Sequence, residues 1–302
     1  MFILGGYYCM WLKKRQIQVL LKNFFDMEKR FQSARKYYLR VIHISLISIS
    51  LPILVGYGLS LAVLCNNSKL TNSLFDKLLL GRNYTSYFPI KVLSLMFNSF
   101  VSLYLTQQMS LLSGMFYITL CIFLCRIIDE CSHHLKLWIS STDVTKISTR
   151  VINEYSVIHD FANLLESTMS SEVLWICTAN FTDLFAGISI ALRFYSYGNP
   201  AYTYERLIYT IFNLMSFFII IYFAAEVSRK DQILRKMVKE AAFVLSLSNE
   251  SGDNGKLLYK LVKSKEDIVL SAWGVFSFTR SFLLASIAGL ISFNLLLIQL
   301  DR

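Results

Sequence analysis

The chain has 302 residues, of which 55% are hydrophobic and 17% charged, whereas a soluble domain carries about 25% charged residues. The apolar residues form long uncharged blocks that exclude an ordinary soluble core and predict helices able to cross a hydrocarbon layer of about 30 Å. The net charge of +10 resides between those blocks, so it is a topology signal and not a nucleic-acid surface.

In chain order, 1–12 is apolar but short, and basic residues follow it. That is the wrong order for a secretory signal, so the segment is expected to be the end of a span truncated upstream. Residues 13–40 are basic, and 16–38 is expected to be helical. The run 41–64 lacks Asp, Glu, Lys and Arg and contains Pro52, which membrane helices tolerate. The run 92–125 is charge-free over 34 residues, about 51 Å as a helix, so it must tilt or project beyond the bilayer. Residues 149–168 are helix-prone. Then 173–192 carries a single charge, Asp183, and 207–225 carries none. In 229–247, apolar Ile233, Leu234, Val238, Ala241, Ala242 and Leu245 recur between basic residues at helical spacing. Residues 248–255 form a Ser/Asn/Gly-rich break. Finally 281–300 is uncharged, and its helix is expected to begin upstream, near Ile268 or at residue 271.

Lys and Arg number nine in 13–40, three in 66–88, four in 126–170, one in 194–206 and nine in 227–267. The richer segments alternate with the poorer ones. The positive-inside rule therefore places the former in the cytoplasm and the C-terminus outside. The resulting organisation is 1–12 span end, 13–40 cytoplasmic, 41–64 transmembrane, 65–88 extracellular, 89–125 long transmembrane helix and 126–171 cytoplasmic anchor helices. It continues with 172–194 transmembrane, 195–205 extracellular, 206–226 transmembrane, 227–270 cytoplasmic anchor helix and loop, and 271–300 a final transmembrane helix. Sequons at Asn66 and Asn83 fall in the first outer loop and are candidate glycosylation sites.

No soluble-enzyme motif, phosphate loop or metal motif is present, and neither a metal nor a cofactor is expected. The six cysteines (Cys9, Cys65, Cys121, Cys125, Cys131, Cys177) lack zinc-like spacing and are expected to pack as small apolar groups. His133 and His134, beside Asp129, Glu130 and Cys131, form either a metal-binding patch or a solvated helix end. Asp183 is a carboxylate within a span. It either walls a ligand cavity or pairs with a polar group such as Arg193 or one on another helix. Polarity and depth alone nominate Asp183, Thr182, Gln107 and Tyr57 as ligand-pocket residues. Gln107 and Asn213 are also candidates for interhelical hydrogen bonds. Ser292, Leu295, Leu296 and Gln299 share one helical face near the C-terminus. That face either lines a pore or leaves Gln299 at the interface.

Four stretches have a familiar order. Ser292-Phe293, five residues, then Gln299-Leu300 close the chain. Before them come Gly274 to Arg280 followed by Leu283-Leu284, and the Ala224-Ala225-Glu226-Val227 stretch. Leu20-Leu21-Lys22-Asn23-Phe24-Phe25-Asp26 lies near the start. Together they resemble the arthropod gustatory receptors of the seven-transmembrane chemoreceptor superfamily, which also includes insect odorant receptors. Members tend to end in Thr-Tyr, five residues, then Gln-Phe; only Gln299 is identical here.

The resemblance implies an all-α multi-pass plasma-membrane receptor with a cytoplasmic N-side and an extracellular C-terminus, lacking one span and most of another before residue 1. It implies a ligand-gated non-selective cation channel subunit that senses a tastant or related small molecule. Such subunits assemble as a homo- or heterotetramer around a pore lined by the last span, which carries Gln299. The cytoplasmic helices would anchor the subunits together. The alternatives are an odorant receptor of the same superfamily or a G-protein-coupled-type receptor. The latter predicts an inside C-terminus and a signature such as Asp-Arg-Tyr, which the sequence lacks. An enzyme is not expected.

Overall fold

Helix dominates wherever the structure is defined. The computed structural model describes residues 11–31, 58, 90–95, 97, 109–139, 144–192, 200–246 and 252–300. The elements with defined bounds are α1 (Lys14–Arg30), α2 (Met109–Ile139), α3 (Val144–Leu192), α4 (Pro200–Ser246), α5 (Gly252–Ser264), β1 (Ser271–Ala272), β2 (Phe276–Ser277) and α6 (Arg280–Leu300). Tyr57, Asn66, Asn83, Gln107 and Arg193 lie outside the described residues.

Two helices are unusually long. α3 has 49 residues and α4 has 47, so each extends about 70 Å, more than twice a hydrocarbon core. α3 joins the stretches 149–168 and 173–192 without a break. No glycine precedes Gly187 in α3, and it contains no proline. α4 likewise joins 207–225 to the basic stretch after it. Its only proline, Pro200, opens it, where a missing backbone N–H costs nothing. Among the described residues, Leu112–Leu137 and Thr210–Ser246 are long and apolar enough to cross a membrane.

The chain divides into two units. One comprises Met1–Ile42, Phe116–Trp175 and Phe218–Ser286; the other His43–Met115, Ile176–Phe217 and Ile287–Arg302. The first is built on a helical core. α1 contributes Leu20, Phe24 and Met27, all buried and spaced i, i+4, i+7. The Phe24 ring lies 4.5 Å from that of Phe123 on α2. Leu124, Ile127, Ile128, Cys131 and Leu135 of α2 are buried with Tyr155, Ile158 and Leu165 of α3. The buried stripe of α4 is Leu234, Val238, Ala241, Ala242 and Leu245.

Three expectations need correction. Ile233 is not part of that stripe and is 44% exposed, because one residue is 100° of rotation away from Leu234. α1 ends at Arg30, short of 38. Phe31 leaves helical geometry at φ −111°, ψ 72°, while its N–H still donates to the Met27 carbonyl at 3.0 Å.

The last helix begins at neither Ile268 nor residue 271 but at Arg280. Residues 271–277 form an antiparallel hairpin pairing Ser271 with Ser277 and Ala272 with Phe276. Its turn places Trp273 at φ +51° and Gly274 at φ +69°, a left-handed geometry incompatible with a continuing α-helix. Thr279 then starts α6: its Oγ1 accepts the Phe282 N–H at 3.1 Å, the side-chain cap that the first turn requires.

In the second unit, Gly187 of α3 meets α4 closely. A Cβ there would lie 1.8 Å from Thr210 Oγ1 and 2.8 Å from its Cβ. Gly187→Ala is expected to destabilise the fold by about 1–3 kcal/mol through overpacking. Gly289, whose Cβ position meets nothing within 4 Å, should instead stabilise by about 0.5–1 kcal/mol as Gly289→Ala. Thermal unfolding of the two detergent-purified variants measures the contrast; equal shifts would contradict the packing argument.

Candidate functional site

The sequence presents α4 after residue 226 as a basic amphipathic helix, yet two of its charged residues are buried. Asp231 is wholly inaccessible and Arg235 is 7% exposed. They stand one turn apart, with Arg235 Nε donating to Asp231 Oδ2 at 2.8 Å. Both groups are further satisfied. Asp231 accepts the Tyr155 hydroxyl at 3.1 Å and the Ile268 N–H at 2.9 Å. Arg235 donates to the carbonyls of Val262 at 3.2 Å, Lys265 at 2.9 Å and Glu266, and meets the Asp267 carboxylate at 3.1 Å. These carbonyls are at or just past the end of α5, where intrahelical donors are lacking. A cation there also answers the negative end of the helix.

The segment after α5 is therefore strapped to α3 and α4. His159, buried on α3, bonds the Glu266 carbonyl through Nε2 at 3.2 Å and meets Asn163 Nδ2 through Nδ1 at 3.1 Å. The carbonyl accepts, so Nε2 is the donor in that bond. Glu166 accepts the Ser271 N–H at 2.9 Å and the Ser271 hydroxyl. Lys265 reaches Asp160 at 3.1 Å. Burial, with the Asp231 carboxylate alongside, pushes the Tyr155 phenol well above its usual range. The phenol thus remains a donor to Asp231 at physiological pH.

The pair was missed because its sequence signature is faint. Asp231 and Arg235 have opposite charge at i, i+4, which normally marks a solvated helix face. The available clue was register: Asp231 lies three and seven residues before Leu234 and Val238, so it falls on the buried stripe.

In the second unit, Asp183 on α3 accepts a hydrogen bond from Asn213 Nδ2 on α4 at 3.2 Å. Asn213 and Thr210 are buried. Around this pair, Phe181 lies 5.9 Å from Phe217, and Phe185 lies 4.0 Å from Phe293 of α6. Thr182 is exposed and returns its hydroxyl to the Thr178 carbonyl at 2.8 Å. Its hydroxyl proton is therefore taken up by its own helix. Ser292, Leu295, Leu296 and Gln299 are all exposed in the single chain, whereas Leu290 and Asn294 of the same helix are buried.

His134 Nδ1 meets Glu154 at 3.1 Å. No group of three or more candidate metal ligands occurs among the described residues. Cys131 is buried.

No family model matches the sequence, and no curated protein does. Solved structures do. The insect olfactory receptor OR5 from Machilis hrabei matches with a TM-score of 0.74 at 12% identity, over 99% of this chain and 78% of that one. The same receptor in complex with eugenol matches with a TM-score of 0.73 at 13% identity, with the same coverage. The chain has the fold of an insect olfactory receptor. At this identity the likeness is one of backbone architecture, so the roles of individual residues have to come from the chain's own geometry.

Breaking the buried pair on one side should be costly. Arg235→Met would leave the Asp231 charge unpaired and is expected to destabilise by about 3–5 kcal/mol. Tyr155→Phe, losing one hydrogen bond, should cost about 1–2 kcal/mol. The double variant Asp231→Leu/Arg235→Met should lose less than the sum of its single variants in thermal unfolding. Strict additivity would mean that the two side chains act independently.

Proposed function

We propose that the chain is a chemosensory receptor subunit of the gustatory type, a ligand-gated non-selective cation channel of the plasma membrane. The observation that carries this reading is the match to an insect olfactory receptor fold over 99% of the chain. The closing Ser-Phe and Gln-Leu frame (292–293 and 299–300) and the alternating Lys/Arg counts support it further. In this reading the C-terminus is extracellular. The long helices α3 and α4 pass from the bilayer into a cytoplasmic helical layer. α6 contributes Ser292, Leu295, Leu296 and Gln299 to the pore of a homo- or heterotetramer. Exposure of all four in a single chain, on a helix this apolar, supports a face that other subunits complete.

The ligand is a small molecule taken up in the outer half of the subunit. Asp183, held by Asn213 among aromatic rings, is the polar group we assign to that pocket; Thr182, Gln107 and Tyr57 complete the proposal. Asn66 and Asn83 are the proposed glycosylation sites. An odorant receptor is the second reading, and it is favoured specifically by the matched structures being olfactory receptors, one of them with eugenol bound.

Whole-cell recording of the expressed protein, challenged with tastants and with volatiles including eugenol, should give ligand-gated cation current that persists when G-protein signalling is blocked. Current that depends on G proteins would refute the channel. Gln299→Glu should alter conductance or cation selectivity; an unchanged pore would remove Gln299 from the lining. Asp183→Asn should shift agonist potency several-fold and leave selectivity intact. A C-terminal epitope should stain intact cells, and staining only after permeabilisation would overturn the topology.

A further inference from the structure

An open cleft of about 310 Å³ lies between α2 and α4 of the first unit, and the chemosensory reading gives it no task. Its walls include Asp129, Ser132, His133 and Lys136 from α2, and Arg229, Lys230 and Ile233 from α4. The four α2 residues are spaced i, i+3, i+4, i+7, so they form one face of that helix. The cleft thus holds three cationic side chains and one carboxylate, with Glu226 beside it bound to Arg229. Lys230 is paired to Asp129. Arg229 is paired to Glu226, and Arg280 reaches the other Glu226 oxygen at 3.6 Å. Lys230 and Arg229 are therefore each already engaged by a carboxylate, which a phosphate group would have to share or displace. The Arg229 side chain is still 44% exposed.

The position of this cleft is informative. α2 lacks charge up to Cys125, and α4 lacks it from Leu207 to Ala225. The lining residues on α2 follow the apolar run by four to eleven positions, about 6–16 Å along the helix. If those runs cross the bilayer as proposed above, the cleft opens at the headgroup level of the inner leaflet. Basic pockets between helices at that depth suit the phosphorylated headgroups that the inner leaflet carries. The volume is at the lower end for small-ligand sites, of order 300–1,000 Å³. The three cationic side chains carry several N–H donors, which suit the oxygens of more than one phosphate better than a single carboxylate.

We infer that this cleft binds a polyphosphorylated inositol headgroup, with Lys136, Arg229 and Lys230 as its cationic contacts. The inference rests on the proposed topology. Its chemistry is common to a membrane phosphoinositide and a soluble inositol phosphate, so the test has an arm for each.

The detergent-purified chain is titrated with short-chain phosphatidylinositol 4,5-bisphosphate, with soluble inositol 1,4,5-trisphosphate and with phosphatidylcholine of equal chain length. Binding is read by microscale thermophoresis. The bisphosphate lipid should bind and phosphatidylcholine should not. Lys136→Gln/Arg229→Gln should weaken binding at least tenfold. Lys260→Gln/Lys263→Gln, removing the same charge from exposed positions of α5, should change it less than twofold. Matching elution and circular dichroism establish that the variants are folded. If the double variant is not, Lys136→Glu replaces it with the same expected loss. Equal affinity for the soluble trisphosphate supports the site with a cytosolic source; preference for the lipid supports it with a membrane source. Equal weakening by both double variants, or no binding above phosphatidylcholine, overturns the inference. Ligand-gated current in a chain that binds neither phosphate probe would overturn this site and leave the channel standing. Phosphate binding without any agonist current would do the reverse.

Discussion

The buried Arg235–Asp231 pair is the interaction on which the first unit depends. Two charges removed from water are costly unless every polar atom finds a partner. Here Asp231 collects donors from α3, from its own helix and from the backbone at Ile268. Arg235 spends its fork on the end of α5 and the residues after it. One pair therefore fixes the relation of three helices and a connecting segment. A hydrophobic replacement could fill the same volume, but it could not hold the freed carbonyls at 262, 265 and 266. The charge is retained where backbone must be gripped, which apolar packing does poorly because it is non-directional.

The same logic continues along the chain. Glu166 takes the first residue of β1, the hairpin reverses through Trp273 and Gly274, and Thr279 caps the next helix. Phe276 stacks on Phe282 at 4.4 Å and 9° between planes, while Phe278 is fully buried. The entry to α6 is thus defined by side-chain-to-backbone bonds and ring packing over a short segment, and not by extension of a long helix as in α3 and α4.

How much of this was legible in the sequence differs by interaction type. Long apolar runs and the stripe Leu234, Val238, Ala241, Ala242, Leu245 were readable, because burial leaves a period in composition. The continuity of α3 across the stretches 149–168 and 173–192 left only a faint trace, the lack of proline and of glycine before Gly187. The hairpin was not. Ser271 to Phe278 is apolar enough to continue a helix, and the positive φ at Trp273 contradicts what an indole side chain ordinarily predicts. The Arg235–Asp231 pair was not legible either, since opposite charges at i, i+4 more often face water. At the candidate ligand site, depth and polarity located Asp183. They carried no information about the geometry of its bond to Asn213, because that depends on how α3 faces α4.

That division bears on where function resides in this chain. The features legible from composition are those any helical membrane protein needs: apolar length, charge asymmetry and stripe periodicity. The illegible ones are specific polar contacts at a few positions, and they lie at the turn into α6, at the Arg235–Asp231 pair and in the cleft beside Arg229. A fold shared at 12% identity can keep the first class while replacing most residues, since apolar substitutions of similar volume are tolerated. It cannot keep the second class that way, because a buried polar atom needs its particular partner. The polar contacts, and not the backbone, are where any ligand preference of the proposed receptor has to be encoded.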